Sequence, residues 1–290
     1  MDRLLKRVTF IPLVFRRIIS RIFERLTSEI RVLPDFIIVG AQKSGTSSLY
    51  GYLKKHPYII PTFKDEIHYF DSNLQKGLRW YKSNFPTRLY KFIFNLIYNR
   101  NFMTGEKSPY YIFHPYAIKH IRNTIPKVKI ILLLRNPIAR SYSHYNHSVK
   151  YDREKLTFEE AIKRESTRLD GELDKIIKDT HYKSFKHATY SYLTRSIYIN
   201  QVKRLLTYFP KEQVMIIKTE DFFQNPQKIL NEVYKFLELP GYALDSFKKH
   251  GFKGYAKLNE TTKHNLVEYF KPYNKLLYQY LQRDFNWENE

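Results

Sequence analysis

Pro34-Asp35-Phe36-Ile37-Ile38-Val39-Gly40-Ala41-Gln42-Lys43-Ser44-Gly45-Thr46-Ser47-Ser48-Leu49 is the stretch whose reading decides the fold. Phe36 to Val39 is an apolar run of strand length, and Gly40 ends it. A small polar loop follows, and Leu49, Tyr52 and Leu53 then recur at helical spacing. Strand, glycine-containing loop and helix N-terminus make a cradle for an anion. Backbone N–H groups converge there and the helix dipole favours negative charge. A nucleoside-triphosphate loop reads G-x-x-x-x-G-K-[ST]. Gly40 and Gly45 keep that spacing, but Thr46 occupies the lysine position and the lysine stands at 43. The loop is therefore expected to hold a phosphate group rather than a magnesium-bound triphosphate.

Working outward, Lys129-Ile130-Ile131-Leu132-Leu133-Leu134 is a second buried-strand run, followed by Arg135-Asn136-Pro137-Ile138-Ala139-Arg140-Ser141-Tyr142-Ser143. An ATPase places an acidic metal ligand at the end of its second key strand. Arg135 in that place suits an anion. Together the two segments resemble the 5'-phosphosulfate and 3'-phosphate motifs of sulfotransferases that use 3'-phosphoadenosine 5'-phosphosulfate (PAPS). Lys64-Asp65-Glu66-Ile67-His68-Tyr69-Phe70 and Gly105-Glu106-Lys107-Ser108-Pro109-Tyr110 are similar to segments of the heparan sulfate sulfotransferases, both the 3-O and the N-sulfating kinds. So is the C-terminal stretch from Leu266 to Leu276, with Asp284-Phe285-Asn286-Trp287 after it. The resemblance runs from Pro34 to Trp287.

Sulfuryl transfer needs a base for the acceptor proton and fixed cations for the charge that builds on the departing oxygen. The resemblance implies Glu66 as the base, with Lys43 on the bridging oxygen or 5'-phosphate and Lys107 on the sulfonate or acceptor side. His68, two residues from Glu66, would share its face on an extended segment. Two readings stand for it: orienting the acceptor or assisting the base, or an ordinary half-buried histidine. The resemblance further implies that Lys43, Ser44, Gly45, Thr46, Ser47 and Ser48 cradle the donor's 5' end, and that Arg135 and Ser143 contact its 3'-phosphate. Animal relatives close a K-G-R segment over that phosphate. The counterpart here, Phe252-Lys253-Gly254-Tyr255-Ala256-Lys257, keeps Lys253 and Gly254 but has no arginine. The cysteine pair of the 3-O enzymes is missing as well. No metal is required by this scheme, and the sequence has neither an H-E-x-x-H motif nor a cysteine ligand.

The expected fold is α/β, a three-layer P-loop-type arrangement with a central parallel sheet flanked by helices. Phe36–Val39, Ile130–Leu134 and Val214–Ile217 supply core strands. Helical patterns cover about Thr157–Leu169, Arg195–Tyr208, Pro226–Leu237 and Thr262–Gln282. Trp80–Asn101 and Gly171–Thr194 are weakly patterned, and by position the second is expected on the acceptor side. The chain of 290 residues divides into a basic arm, 1–33, and a sulfotransferase domain, 34–290. In the arm, Leu13, Val14, Ile18, Ile19, Ile22, Phe23, Leu26 and Ile30 recur at helical spacing, with Arg16, Arg17, Arg21 and Arg25 between them. This basic amphipathic pattern over 13–30 suits peripheral membrane contact, and it is too short and too charged for a span or a signal peptide. An organellar presequence, or a helix packed on its own domain, are the other readings of the arm.

A formal charge of +22 attracts anions, and the absence of cysteine fits a reducing, cytoplasmic setting. A genome biased toward lysine, isoleucine, tyrosine, phenylalanine and asparagine would give the same composition. The expected acceptor is a carbohydrate or glycolipid, and nucleic acid is not expected as a partner. The alternatives are a lipid or small phenolic acceptor with the same donor, or a non-catalytic polyanion-binding protein. The set Lys43, Glu66, Arg135 and Ser143 argues against the last, because charge alone does not require it.

Overall fold

A computed structural model of the chain describes residues 27–247 and 256–289. Its strands are β1 Phe36–Gly40, β2 Gly105–Lys107, β3 Lys129–Leu134 and β4 Val214–Lys218. They pair in parallel in the order β2-β1-β3-β4. The helices, in chain order, are α1 Thr46–Leu53, α2 Tyr69–Ser72, α3 Gly77–Lys82, α4 Arg88–Tyr98, α5 Ala117–Thr124, α6 Pro137–Lys150 and α7 Phe158–Lys163. After them come α8 Glu165–Leu169, α9 Glu172–Lys178, α10 Phe185–Thr189, α11 Tyr198–Tyr208, α12 Thr219–Gln224, α13 Pro226–Phe236 and α14 Glu260–Leu281.

Strand side chains alternate between faces, and the core divides accordingly. Ile37, Val39, Ile130, Leu132 and Leu134 face a cluster with Ile118 and Ile121 of α5, Val202 and Leu205 of α11, and Leu277 of α14. Phe36, Ile38, Ile131 and Leu133 face the other way, onto Leu49 and Leu53 of α1 and Leu230 and Val233 of α13. With both faces covered, β1 and β3 have to be apolar almost throughout, as a parallel sheet requires. The expected three-layer α/β architecture is what forms.

The expected helix over Thr157–Leu169 is two helices. Thr157 and Glu160 close a capping box at the start of α7, and the chain breaks at Arg164 before α8 begins. At α13, Asn225 caps and Pro226 opens the helix, as that pair favours. Strand β2 is the element that apolar patterning did not announce. It pairs with β1 through Gly105, Glu106 and Lys107, and Gly105 is there because the Phe36 ring lies 2.5 Å from where a Cβ would stand. The arm's helical spacing lies mostly outside the described residues. Of it, Ser28–Ile30 forms a 3-10 turn, Arg31 bridges Thr87, and Val32 N donates to Pro86 O at 3.0 Å. No helix among the described residues is long and apolar enough to cross a membrane.

Because all four strands run the same way, the segments after β1, β2 and β3 emerge at one edge of the sheet. That edge, the C-terminal end of the strands, is where α/β sheets bind ligands.

Candidate active site

The loop between β1 and α1 is held by its carbonyl groups. Gln42 O accepts from Arg140 Nη1 (3.4 Å), Lys43 O from Arg135 Nη1 (3.1 Å) and Ser44 O from Thr219 Oγ1 (2.8 Å). With its carbonyls so engaged, the loop enters α1, whose first-turn N–H groups have no intrahelical acceptors. Gly45, the N-cap, sits at φ +86° and Lys43 at φ +70°. The left-handed region is easy for glycine and unusual for lysine. Two buried guanidinium groups brace this loop from behind. Arg140 also donates to Tyr192 O and Ser196 Oγ, and Arg195 to Gln42 Oε1, His187 O and Ala188 O. Burial lowers the Arg140 pKa to about 10 and the Arg195 pKa to about 9.

Burial also lowers the Lys43 pKa, and the neighbouring charges of Arg135, Lys150 and Arg140 push it the same way. These cations repel one another until an anion joins them. Ser44 Oγ is buried beside the Tyr198 hydroxyl, which donates to Arg135 O at 2.9 Å. A crowded cation set, a buried hydroxyl and a helix N-terminus fit the phosphosulfate end of a nucleotide. Arg135 also lines a cleft of about 370 Å³ with Asn136, Ile138, Tyr142, Phe223 and Lys263.

Beside this loop lies a charged cluster built from the turn leading into α2, from α2 itself and from β2. Lys107 Nζ donates to Glu66 Oε1 at 2.5 Å, and His68 Nε2 meets Glu66 Oε2 at 3.1 Å. His68 Nδ1 is 2.7 Å from Asp71 Oδ2, whose carboxyl group is buried. Burial would raise the Glu66 pKa, but hydrogen bonds from His68 and Lys107 and the lysine charge hold it at about 2. Burial would lower the His68 pKa, but its bonds to Asp71 and Glu66 raise it to about 10. His68 is therefore an imidazolium at neutral pH, clamped between two carboxylates. It meets Glu66 as expected, though not from an extended segment. His68 is left-handed at φ +53° and caps α2, held by Ser108 Oγ accepting from its N–H at 3.1 Å.

Ser108 in turn donates to Glu106, a wholly buried carboxyl group that also accepts from the Tyr81 and Tyr111 hydroxyls. Burial raises the Glu106 pKa to about 7 despite these bonds. The Tyr111 hydroxyl accepts from Tyr69 N at 2.8 Å, so one buried acid orders the strand carrying Lys107 and the turn carrying His68.

A cleft of about 540 Å³ opens over His68 and reaches Gln42. Lys64, Arg153, Lys183 and Arg195 line it, with Asp71 as its one carboxylate. Ile176, Tyr182, Ser184 and Phe185 form part of its wall. The segment Gly171–Thr194 thus stands on this side, as short helices rather than an open loop.

Lys43 and Arg135 are thus brought together at the loop, and Glu66, His68 and Lys107 beside it. Ser44, Thr46 and Ser48 are buried around the first turn of α1, and Ser47 is exposed. Ser143 is buried on α6 and is not among the residues lining the Arg135 cleft. Lys253 and Gly254 lie outside the described residues. Sequence reasoning missed Asp71, Glu106, Gln42 and Arg195. The spacing of His68 and Asp71 across one turn, and the place of Glu106 beside Lys107, were the available signals; Arg195 had none. Among the described residues, no group of three or more histidines and carboxylates is placed to hold a metal ion.

A parallel sheet whose loops present cations and an N-terminal anion cradle, facing an ionised carboxylate, defines an enzyme that transfers an anionic group. The model of the sulfotransferase domain matches residues 33–275, and the chain belongs to the sulfotransferase family. It is 30% identical to the membrane-associated sulfotransferase kil1 of Dictyostelium discoideum, over 89% of this chain and 67% of that protein. It is 28% identical to heparan sulfate glucosamine 3-O-sulfotransferase 5 of Homo sapiens, over 91% of this chain and 76% of that one. Against the bifunctional heparan sulfate N-deacetylase/N-sulfotransferase 1 of Caenorhabditis elegans, at 26% identity, the chain spans only 30% of the relative's length. The crystal structure of a sulfotransferase from Alicyclobacillus acidocaldarius superposes with a TM-score of 0.67 at 28% identity, over 89% of this chain and 100% of that one. The chain is a sulfotransferase enzyme.

Proposed function

We propose that this sulfotransferase uses PAPS as donor and a hydroxyl group of an anionic carbohydrate as acceptor, in preference to an amine. The observation that carries the reading is the junction at Gln42: the cation-crowded loop on one side, the Glu66 cluster and its cationic cleft on the other. When bound, the donor supplies the sulfuryl group and departs as 3'-phosphoadenosine 5'-phosphate. Lys43, Ser44, Gly45, Thr46, Ser47 and Ser48 would hold its 5' end, and Arg135 and Ser143 its 3'-phosphate, with Lys253 and Gly254 as further contacts.

In this reading Glu66 accepts the acceptor's hydroxyl proton as the oxygen attacks sulfur in line. With its pKa held at about 2, Glu66 enters the reaction ionised, yet weakly basic. Lys107 shifting from Glu66 toward the sulfuryl group would strengthen the base as charge builds on the departing oxygen. His68, charged and anchored by Asp71, keeps the carboxylate oriented. The cations lining the cleft suit uronate or sulfate groups, and the names of the heparan sulfate relatives support a carbohydrate. The name of the Dictyostelium relative supports peripheral membrane contact, for which the basic amphipathic pattern of residues 13–30 is a candidate by sequence.

The test is calorimetric titration with 3'-phosphoadenosine 5'-phosphate, followed by transfer assays on a sulfated oligosaccharide, a glycolipid and a simple phenol. Lys43→Ala and Arg135→Ala are each expected to weaken nucleotide binding by about 2 kcal/mol, the loss of a charged hydrogen-bond partner. Glu66→Gln should leave nucleotide affinity intact and lower transfer by about 10²–10⁴. Nucleotide binding indifferent to both substitutions overturns the donor reading. Transfer to the phenol alone overturns the acceptor reading.

A further inference from the structure

Helix α4 leaves most of its apolar surface in water. Leu89, Phe92, Ile93, Leu96 and Ile97 fall at the i, i+3, i+4, i+7, i+8 spacing of a single face. All five are exposed, Phe92 at 60%, Leu96 at 66% and Ile97 at 67%, and Tyr90 and Tyr98 beside them are exposed too. Only Phe94 turns inward, packing against Phe102 and Tyr58 with ring centroids 5.4 and 6.1 Å away. A contiguous apolar face of this kind marks a surface that meets a partner.

The charges around the face say which partner. From Arg88 to Thr104 the chain has no Asp or Glu and carries Arg88, Lys91 and Arg100. Arg88 and Arg100, at the two ends of the helix, are exposed. An aliphatic face with tyrosines at its margin and an exposed arginine at each end is the composition of a helix lying in a lipid interface. Aliphatic side chains enter the acyl boundary, tyrosines sit at headgroup level, and the cations meet anionic headgroups. The arm adds Arg16, Arg17, Arg21 and Arg25 to the attraction for anionic headgroups. It joins the domain beside α4: Arg31 bridges Thr87, whose side chain caps that helix.

We propose that α4 docks this enzyme on an anionic lipid bilayer, inserting Leu89, Phe92, Ile93, Leu96 and Ile97 into its interface. Lys91 pairs with Asp35, the residue before β1, at 3.4 Å. The docking face therefore lies by the N-terminal ends of the strands. The clefts lie at the opposite ends, away from the bilayer and open to a soluble or extended acceptor. This proposal does not rest on the donor or acceptor reading.

The experiment is co-sedimentation of the full chain with vesicles of phosphatidylcholine alone or mixed with phosphatidylserine. The wild type should bind the mixed vesicles, and the double variant Phe92→Ser/Leu96→Ser should partition about tenfold less or weaker still. An unchanged circular dichroism spectrum and urea unfolding midpoint check that the variant folds. Phe92→Trp in the full chain provides a readout without loss of function: the introduced indole should be quenched by brominated lipid in mixed vesicles. An unquenched indole, or wild-type protein left in the supernatant, overturns the proposal. So does vesicle binding indifferent to the double variant, which would leave lipid contact to residues 13–30 alone. A wild-type dimer that the double variant dissociates, without lipid binding, would make a second copy the occupant.

Discussion

Glu66 sits between two cations and His68 between two carboxylates, and this chain of alternating charge sets how the cluster titrates. The His68 pKa, raised to about 10, depends on two anions, of which Asp71 is the buried one. A group whose pKa is raised stays protonated below that value and loses its proton as the pH climbs through it. In Asp71→Asn one anion is gone, and burial, which opposes the charge, is unchanged. The His68 midpoint should then fall by about one unit or more, the usual worth of an adjacent opposite charge. The alkaline limb of kcat/KM should move down with it, and an NMR titration of the His68 ring should track the same shift. A ring midpoint unmoved in Asp71→Asn would mean that Glu66 alone holds the proton there. The same cluster shows what a sequence leaves unsaid. Glu66 and Lys107 were legible from their motif segments, whereas Asp71 matters through a contact that exists only because His68 adopts a left-handed turn.

At the scale of elements, strands β1 and β3 could be read from the chain because burial on both sheet faces makes a strand apolar along its whole length, and the edge strand β4, only partly buried, still shows as the apolar run Val214–Ile217. Strand β2 could not. Its sequence, Gly105-Glu106-Lys107, is polar, and it is a strand because β1 offers backbone partners and because Tyr81, Tyr111 and Ser108 satisfy the buried Glu106. Arg195 escaped notice for a similar reason, since nothing local marks an arginine that braces a loop 153 residues away. Gly105 offers a direct probe of the β1–β2 contact. A methyl group there meets the Phe36 ring edge, flanked by the sheet on one side and α1 on the other. Gly105→Ala is expected to lower the stability measured by urea unfolding by about 1–3 kcal/mol, the cost of overpacking a core. Transfer activity should fall too, because β2 carries Lys107. Adding Phe36→Leu should recover part of the lost stability. If Gly105→Ala costs nothing, the ring moves aside freely and the close approach does not fix the strand.

For the whole molecule, the net charge of +22 is a statement about encounters rather than about fold. Part of it is focused where it matters, since Lys64, Arg153, Lys183 and Arg195 join the charged His68 around one carboxylate, Asp71, in the cleft. A positive cleft raises the local concentration of an anionic acceptor, and salt screens that attraction over about 8 Å at physiological ionic strength. The acceptor's encounter with the enzyme should therefore weaken as salt rises, while the proton transfer proposed for Glu66, inside the formed complex, should not. For a sulfated oligosaccharide acceptor, kcat/KM is expected to fall by about tenfold or more over a several-fold rise in salt, with kcat nearly constant. An uncharged sugar acceptor should show little change in either constant. Lys64→Ala/Lys183→Ala should flatten the salt dependence for the sulfated acceptor, because both residues line the cleft and neither belongs to the Glu66 cluster. Equal salt sensitivity for charged and uncharged acceptors would place the effect on the donor side, at Lys43 and Arg135. The cationic cleft would then have to be explained by something other than acceptor capture.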